Sequence, residues 1–247
     1  IRMKKKPMLL AGTAVLAVVG TQAQTSTPSP ETPPKWETSA ALGFTATQGN
    51  SDTILFTAQV LSQKKWDEHE IRLGADATYG ENEDVKSADG AHAFGQYNRL
   101  FSERFYGYAR FDALHDAIAD IEYRFLLSPG AGYYLLKSET TALSVEGGPG
   151  FVYEKQGDDE QGYITARLAE RLEHKFNDNV RLWQSVEFLP QVDDLDNFLI
   201  NAEIGVEAKL TQKFSVKVFA VDNYDNQPAE GRKENDIKVV TALAYTF

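Results

Sequence analysis

Residues 198–210, FLINAEIGVEAKL, alternate between apolar and polar side chains from residue 200 onward. One set of positions is apolar and is made of Phe198, Ile200, Ala202, Ile204, Val206, Ala208 and Leu210. The other set holds Asn201, Glu203, Gly205, Glu207 and Lys209. Successive side chains of a β-strand point to opposite faces, so this period of two predicts a strand with one apolar and one polar face.

The same alternation recurs along the chain and predicts twelve strands. They lie at 36–48, 53–65, 70–80, 91–101, 105–115, 121–137, 141–154, 162–174, 180–191, 198–210, 214–224 and 236–247. Most are longer than an ordinary globular strand and suit a tilted strand that crosses a bilayer, which needs about 9–11 residues. No uncharged apolar run near 18 residues follows residue 34, which excludes helical membrane spans.

The connections between these segments alternate in length. Those at the ends of the second, fourth, sixth, eighth and tenth segments are short, whereas most others are longer and acidic, at 81–90, 155–161, 192–197 and 225–235. The exception is the tight turn at 49–52. Outer-membrane barrels have short periplasmic turns and long outer loops, and an even strand number places both chain ends in the periplasm.

Alternation alone does not decide which face of the strands contacts water, since a soluble β-sandwich shows the same pattern. Two observations favour apolar side chains outside and ionised ones inside. Aromatic residues cluster at both ends of the segments, as in the girdles of membrane barrels. A ring of twelve strands is also too wide to be filled as an eight-stranded barrel is, so its interior must hold water or charges. We therefore predict an all-β protein, a single twelve-stranded antiparallel up-and-down transmembrane β-barrel over residues 35–247.

The first residues have the pattern of an export signal. Basic residues at 2–6 precede the apolar stretch MLLAGTAVLAVV at 8–19, and small residues follow at 21 and 23. We predict a cleaved signal peptide over residues 1–23. Residues 24–34, QTSTPSPETPP, are rich in proline and predict an extended periplasmic tether. The expected location is the bacterial outer membrane.

The composition excludes several classes of function. The chain carries 25 basic and 36 acidic side chains, a net charge of −11, which argues against a nucleic-acid partner. The absence of cysteine removes disulfides, thiolate zinc sites and cysteine nucleophiles. We expect no cofactor and no metal centre, although the acidic loops could bind calcium or bridge through cations to lipopolysaccharide.

Several short motifs resemble one family in their order along the chain. They are Trp36, Gly43 and Gly49-Asn50-Ser51, then Asp112, Arg124 and Gly130-Ala131-Gly132-Tyr133, then Glu187-Phe188-Leu189-Pro190. Over about residues 35–247 the chain resembles the salt-induced outer-membrane proteins, a domain-of-unknown-function family. The resemblance implies an outer-membrane barrel linked to salt or osmotic stress, and it supplies no catalytic residue. The final residues, with Leu243, Tyr245 and Phe247, look like the signal that the barrel-assembly machinery recognises.

The predicted inner face carries charges of both signs, which are the candidate site. They are Arg72, Asp76, Arg110, Asp112, Arg124, Glu146, Arg167, Arg181, Glu187, Glu203 and Glu207. The arginines could form a ladder that guides small solutes through a channel. Alternatively, the two signs pair and close the barrel as a structural network. In both cases the prediction is a non-enzymatic envelope protein in contact with membrane lipid.

Two other hypotheses remain open. Asp112, His115, Asp116 and Asp120 lie within nine residues at a strand edge and could activate water, which would make the protein an outer-membrane hydrolase. The second is a soluble periplasmic β-protein with its apolar face packed inside.

Overall fold

A computed structural model describes residues 35–47 and 53–247, and these form one closed antiparallel barrel of twelve strands. The strands are β1 (Glu37–Thr47), β2 (Thr53–Trp66), β3 (His69–Asn82), β4 (Val85–Leu100), β5 (Phe105–Asp116), β6 (Ile121–Lys137), β7 (Thr141–Gln156), β8 (Asp159–Lys175), β9 (Val180–Pro190), β10 (Phe198–Lys209), β11 (Phe214–Asp225) and β12 (Asn235–Thr246). The predicted signal peptide, tether and 49–52 turn lie outside the described residues.

Each strand pairs with its sequence neighbours, and β1 closes the ring by pairing antiparallel with β12. Leu42 lies opposite Leu243 at this seam, and the Phe247 N–H donates to the Thr38 carbonyl at 3.0 Å. The predicted architecture, all-β and up-and-down with twelve strands, is confirmed. No helix in the described residues is long and apolar enough to cross a membrane.

We call the end with the connections 67–68, 101–104, 138–140, 176–179 and 210–213 the turn end, and the opposite end the loop end. The prediction of long acidic loops at 81–90 and 155–161 was wrong. There β3, β4, β7 and β8 continue, and the connections are only 83–84 and 157–158. Glu83 and Asp84 both have positive φ, 51° and 61°, as a two-residue type I′ hairpin requires.

Large apolar side chains face outward, and charged side chains face inward. Leu42, Phe44 and Ile237 are 60%, 67% and 66% exposed, whereas Arg167 on the inner face is 3% exposed. A soluble β-protein would bury the first group and expose the second, so the barrel has the inverted polarity of a transmembrane β-barrel. The hypothesis of a soluble protein with an apolar interior is therefore wrong.

Aromatic side chains form contacts at both ends of this outer surface. At the turn end, Trp66 stacks on His69 at 5.3 Å between ring centroids, and Phe214 packs edge-on against Tyr245 at 5.1 Å. At the loop end, Tyr123 and Tyr153 stack at 5.8 Å. Aromatic rings with a polar tip suit the boundary between lipid headgroups and hydrocarbon.

Apolar residues also occur inside the barrel, which strict alternation does not predict. One cluster is made of Ala41, Trp183, Phe219, Val240, Ala242 and Ala244, and a second of Leu126, Val152, Tyr163, Leu189 and Leu199. Gly205 makes room for the first cluster, because a Cβ there would lie 2.2 Å from the Trp183 ring. The interior is therefore partly packed and not lined by charges alone.

Glu170 is an exception on the outer face. It lies opposite Val145 of β7 and Val186 of β9, so its neighbours are apolar. Among the described residues it makes neither a hydrogen bond nor an ion pair. It is five residues from the end of β8, within the apolar band, whereas the outward-facing Arg99 lies at the turn end beside Phe101.

We predict that Glu170→Leu stabilises the barrel in lipid by about 1 kcal/mol, because an ionised side chain in the apolar band of a barrel is destabilising. The reverse change at its neighbour on the same face, Leu168→Glu, should destabilise by a similar amount. Equilibrium urea unfolding in lipid vesicles, followed by tryptophan fluorescence, measures both. If neither variant shifts the unfolding free energy, this face does not contact hydrocarbon.

Candidate functional site in the barrel interior

The middle of the interior is organised around Arg167 of β8. Its guanidinium bonds to Glu146 of β7 at 2.8 Å and to Glu187 of β9 at 2.5 Å, and it lies over the Tyr108 ring at 5.1 Å. Asn201 of β10 donates to the same Glu187 at 3.1 Å. One buried arginine thus links carboxylates from both neighbouring strands, and this pairing offsets the cost of removing the charges from water.

Glu146 also receives hydrogen bonds from the opposite direction along the ring. Gln96 of β4 donates to it at 2.7 Å and the Tyr106 hydroxyl of β5 at 2.9 Å. β6 lies between β5, which carries Tyr106, and β7, which carries Glu146. At Gly132 of β6 a Cβ would lie 2.3 Å from the Tyr106 ring. The missing side chain therefore lets the tyrosine lie across β6 and reach Glu146.

A second group joins β3, β4 and β5. Arg110 donates to both oxygens of Asp112, at 2.8 and 2.6 Å, which is the bidentate geometry of a strong arginine–carboxylate pair. The His92 ring lies between two carboxylates, with Nε2 3.1 Å from Asp112 and Nδ1 3.4 Å from Asp76.

A third group crosses the interior near the loop end. Arg124 of β6 bonds to Glu154 of the neighbouring β7 and, at 2.8 Å, to Asp225 of β11. β6 and β11 are five strands apart in a ring of twelve, so they lie almost opposite each other. Gln156 adds a second link to Asp225 at 3.2 Å. These bonds span the lumen and do not follow its wall.

Two further ion pairs join opposite sides of the loop end. Lys238 of β12 lies 3.2 Å from Asp116 of β5, and these strands are also five apart. Arg232, in the connection 226–234, lies 3.6 Å from Asp120 in the connection 117–120. We call the pairs Arg124–Asp225, Lys238–Asp116 and Arg232–Asp120 the mouth pairs.

The interior near the turn end is richer in cations. Arg181 bonds to Glu207 at 2.6 Å, and Ser215 donates to the same carboxylate. Arg171 bonds to Glu173 at 2.7 Å. Two cations of the inner face, Arg72 of β3 and the buried Lys217 of β11, have no carboxylate within ion-pair distance in the described part of the chain.

The structure places all eleven predicted lumen residues on the inner face and brings ten of them into polar contacts. Besides the groups above, Glu203 accepts a hydrogen bond from the Trp183 indole. The tenth residue, Asp76, makes its polar contact with the His92 ring. Arg72 alone has no hydrogen bond or ion pair among the described residues.

Sequence reasoning missed part of this network. The additional members are His92, Gln96, Glu154, Gln156, Arg171, Glu173, Lys217, Asp225 and Lys238. The available signal was the period of two, which already places Glu154 on the same face as Glu146. Asp225 gave no such signal, because it ends a strand and precedes a polar connection.

The hypothetical hydrolase site is not assembled. His115 is exposed and bonds through Nδ1 to the Glu122 carbonyl at 2.9 Å, whereas Asp112 faces inward to Arg110. Asp116 accepts from Lys238 and from the amides that follow it. Among the described residues, no carboxylate hydrogen-bonds to His115 and orients it as a general base.

Within the segments predicted as acidic loops, two carboxylates that lie in strands accept hydrogen bonds from tyrosines. Glu160 accepts from Tyr123 at 2.9 Å and from Tyr153, and Glu81 accepts from Tyr79. Within residues 35–47 and 53–247, no group of three or more His, Asp or Glu side chains has the geometry to hold a metal ion.

A cavity lies beside the mouth pairs at the loop end. Its walls include Arg124, Gln156, Asp225 and Asp236, and it encloses about 40 Å³. That volume holds ordered water between polar groups but no solute of metabolite size, since one water needs roughly 10–15 Å³ on this measure.

The predicted assembly residues Leu243 and Tyr245 lie in β12, and Phe247 directly follows it. Leu243 and Phe247 are 51% and 75% exposed, and Tyr245 packs edge-on against Phe247 at 5.1 Å. They form one apolar stripe at the turn end of the seam with β1. Their recognition by the assembly machinery stays a prediction.

Comparison with solved structures finds barrels from outer membranes. The chain is similar to a KdgM porin in complex with disordered oligogalacturonate, with 9% identity, a TM-score of 0.48, and coverage of 85% of this chain and 99% of that one. It is similar to the NanC porin at 6% identity and a TM-score of 0.48, covering 86% and 98%. It is also similar to the translocator domain of the autotransporter NalP from Neisseria meningitidis, at 14% identity and a TM-score of 0.47, covering 86% and 88%.

No curated protein matches the chain. A family model described as "Protein of unknown function, DUF481" matches residues 40–247, which includes every strand of the barrel apart from the first residues of β1. The chain therefore belongs to the DUF481 family.

Proposed function

We propose that this chain is an outer-membrane β-barrel that acts as a narrow channel for small solutes. The observation that carries the proposal is the inverted polarity of a closed barrel, apolar outside and charged inside. A closed barrel leaves no unpaired strand edge in hydrocarbon, which is the requirement for spanning a membrane with strands. Charged residues that face a lumen tune which solutes pass.

The orientation follows from strand number. Twelve strands place both ends of the barrel domain, residues 35–247, at the turn end, and the short turns of such barrels face the periplasm. In this proposal a signal peptide at 1–23 directs export and a proline-rich tether at 24–34 lies in the periplasm. The acidic loop end then faces outward, where divalent cations could bridge it to lipopolysaccharide, and the final residues of β12 serve as the assembly signal.

The proposed function is non-enzymatic. His115 lacks a carboxylate partner, and the histidine that does have one, His92, lies in a network that also holds Arg110. His92 contacts two carboxylates and no serine or threonine hydroxyl, so the arrangement that activates a nucleophile is not present there.

The mouth pairs support a second candidate, a structural barrel that responds to salt or osmotic stress. Arg124–Asp225 and Lys238–Asp116 hold opposite walls together, and a cavity of about 40 Å³ lies beside them. Ion pairs that water can reach are weakened by salt, because the Debye length falls from about 10 Å at 0.1 M to about 3 Å at 1 M. A rise in external salt would therefore loosen the loop end first, which gives a physical route from osmolarity to permeability.

We predict that Asp225→Asn increases the single-channel conductance of the barrel in a planar lipid bilayer, or the fraction of time that it is open, by at least twofold. The change removes the charge that holds Arg124 across the lumen while keeping the shape of the side chain. Asp178→Asn, in the exposed connection 176–179, changes the net charge equally and should leave conductance at the wild-type value. Equal effects of both variants would contradict a role for the mouth pairs.

We also predict that the wild-type open fraction rises when KCl on the loop side is raised from about 0.1 M to 1 M, because screening weakens the mouth pairs. In Asp225→Asn this salt dependence should be reduced, since one of the pairs is already broken. Wild-type and variant proteins that stay silent in all these solutions would refute the channel and leave the structural barrel.

A further inference from the structure

Arg72 differs from every other inward-facing arginine of the barrel. Arg110, Arg124, Arg167, Arg171 and Arg181 each lie within 3 Å of a carboxylate oxygen. The Arg72 guanidinium has no such partner, and its buried Nε has no hydrogen-bond acceptor. A guanidinium presents five N–H donors, and a buried donor without an acceptor is destabilising by about 1–3 kcal/mol.

The position of Arg72 is set by an aromatic ring. Phe94 of β4 lies 5.9 Å from the Arg72 guanidinium carbon and 4.6 Å from that of Arg110. Gly74 of β3 permits this, because a Cβ there would lie 2.2 Å from the Phe94 ring. A cation held against a ring face is oriented by the ring, and its N–H groups stay available for hydrogen bonds.

The carboxylates nearest to Arg72 are already paired with other arginines. Arg171 and Arg110 lie close enough to repel it, and the carboxylates that attract it are Glu173 and Glu146. Both carboxylates already bond to other arginines, Glu173 to Arg171 and Glu146 to Arg167. The Arg72 guanidinium is therefore left without an acceptor among the described residues, although carboxylates lie nearby.

We infer that Arg72 forms an anion-binding site inside the barrel that takes the oxyanion group, carboxylate or phosphate, of a small solute. A planar guanidinium matches such groups with two parallel hydrogen bonds. The unpaired charge of Arg72 attracts the anion, and the contact with the Phe94 ring orients the donor before the anion arrives, which lowers the entropy lost on binding. The inference rests on the proposed channel in one respect, that solutes enter the interior.

The site can be tested by binding, without conduction. The full-length barrel, refolded in detergent micelles, is titrated separately with inorganic phosphate and with acetate, and chloride keeps the ionic strength constant. A ligand that binds the folded barrel raises its unfolding temperature in a saturable way. We expect such a rise for the wild-type protein, and the anion that saturates at lower concentration shows whether the site prefers phosphate or carboxylate.

Arg72→Gln should weaken the preferred anion at least tenfold. Arg72→Lys keeps the charge but not the two parallel donors, so it should weaken binding of that anion by a smaller factor. This variant also keeps the test valid if the glutamine variant fails to fold. Arg99→Gln is the matched control, because Arg99 faces outward beside Phe101. A wild-type barrel with no saturable response, or substitutions at Arg72 that leave the response unchanged, would overturn the site. Since the assay needs no current, a silent bilayer recording would reject the channel without deciding the site.

Discussion

Backbone hydrogen bonding in hydrocarbon is the constraint on which this structure depends. A bilayer offers no water to an unpaired N–H or C=O group, so a β-sheet can cross it only as a closed ring. The pairing of β1 with β12, with Leu42 opposite Leu243, removes the two edges that a twelve-stranded sheet would otherwise expose. Closure gives each strand one face toward lipid and one toward the interior, and the alternation of side chains along the strand follows from that division.

Most charged groups on the inner face of this ring are paired within the ring. Arg167 pairs with Glu146 and Glu187 from its two neighbouring strands, and Arg124 pairs with Asp225 across the lumen. Removing one member of such a pair leaves an uncompensated buried charge, which is more destabilising than the pair itself is stabilising. The network therefore restrains the cross-section of the barrel as well as its electrostatics.

The sequence predicts the strands and the direction of their side chains much better than it predicts the contacts between side chains. β10 ends within one residue of its predicted bounds, 198–210, because apolar and polar positions alternate along most of it where one face meets lipid. At 81–90 the strands continue beyond the apolar band, where both faces meet water, and the alternation that would mark them is lost. Trp183 departs from the apolar-out pattern for a different reason. It faces the interior because part of the lumen is packed with apolar side chains.

The partners within the site depend on distances that no local pattern contains. Arg124 and Asp225 are 101 residues apart and meet only because β6 and β11 face each other in a ring of this size. A barrel with a different tilt or strand number would leave the same two residues on the inner face and separate them. The inner face is thus predictable from periodicity, whereas the choice between a paired and an open interior requires the closed structure.

An interior closed by ion pairs differs from one closed by apolar packing in the way it can open. Separating apolar side chains exposes surface that water does not solvate well, at about 25 cal/mol for each Å². Separating Arg232 from Asp120 instead exchanges one set of polar contacts for contacts with water, and the net value of an exposed pair of this kind is only about 0–1 kcal/mol. A lumen closed by a few pairs near its mouth therefore lies close to balance between closed and open states, and solutes or salt that compete for the same charges shift that balance.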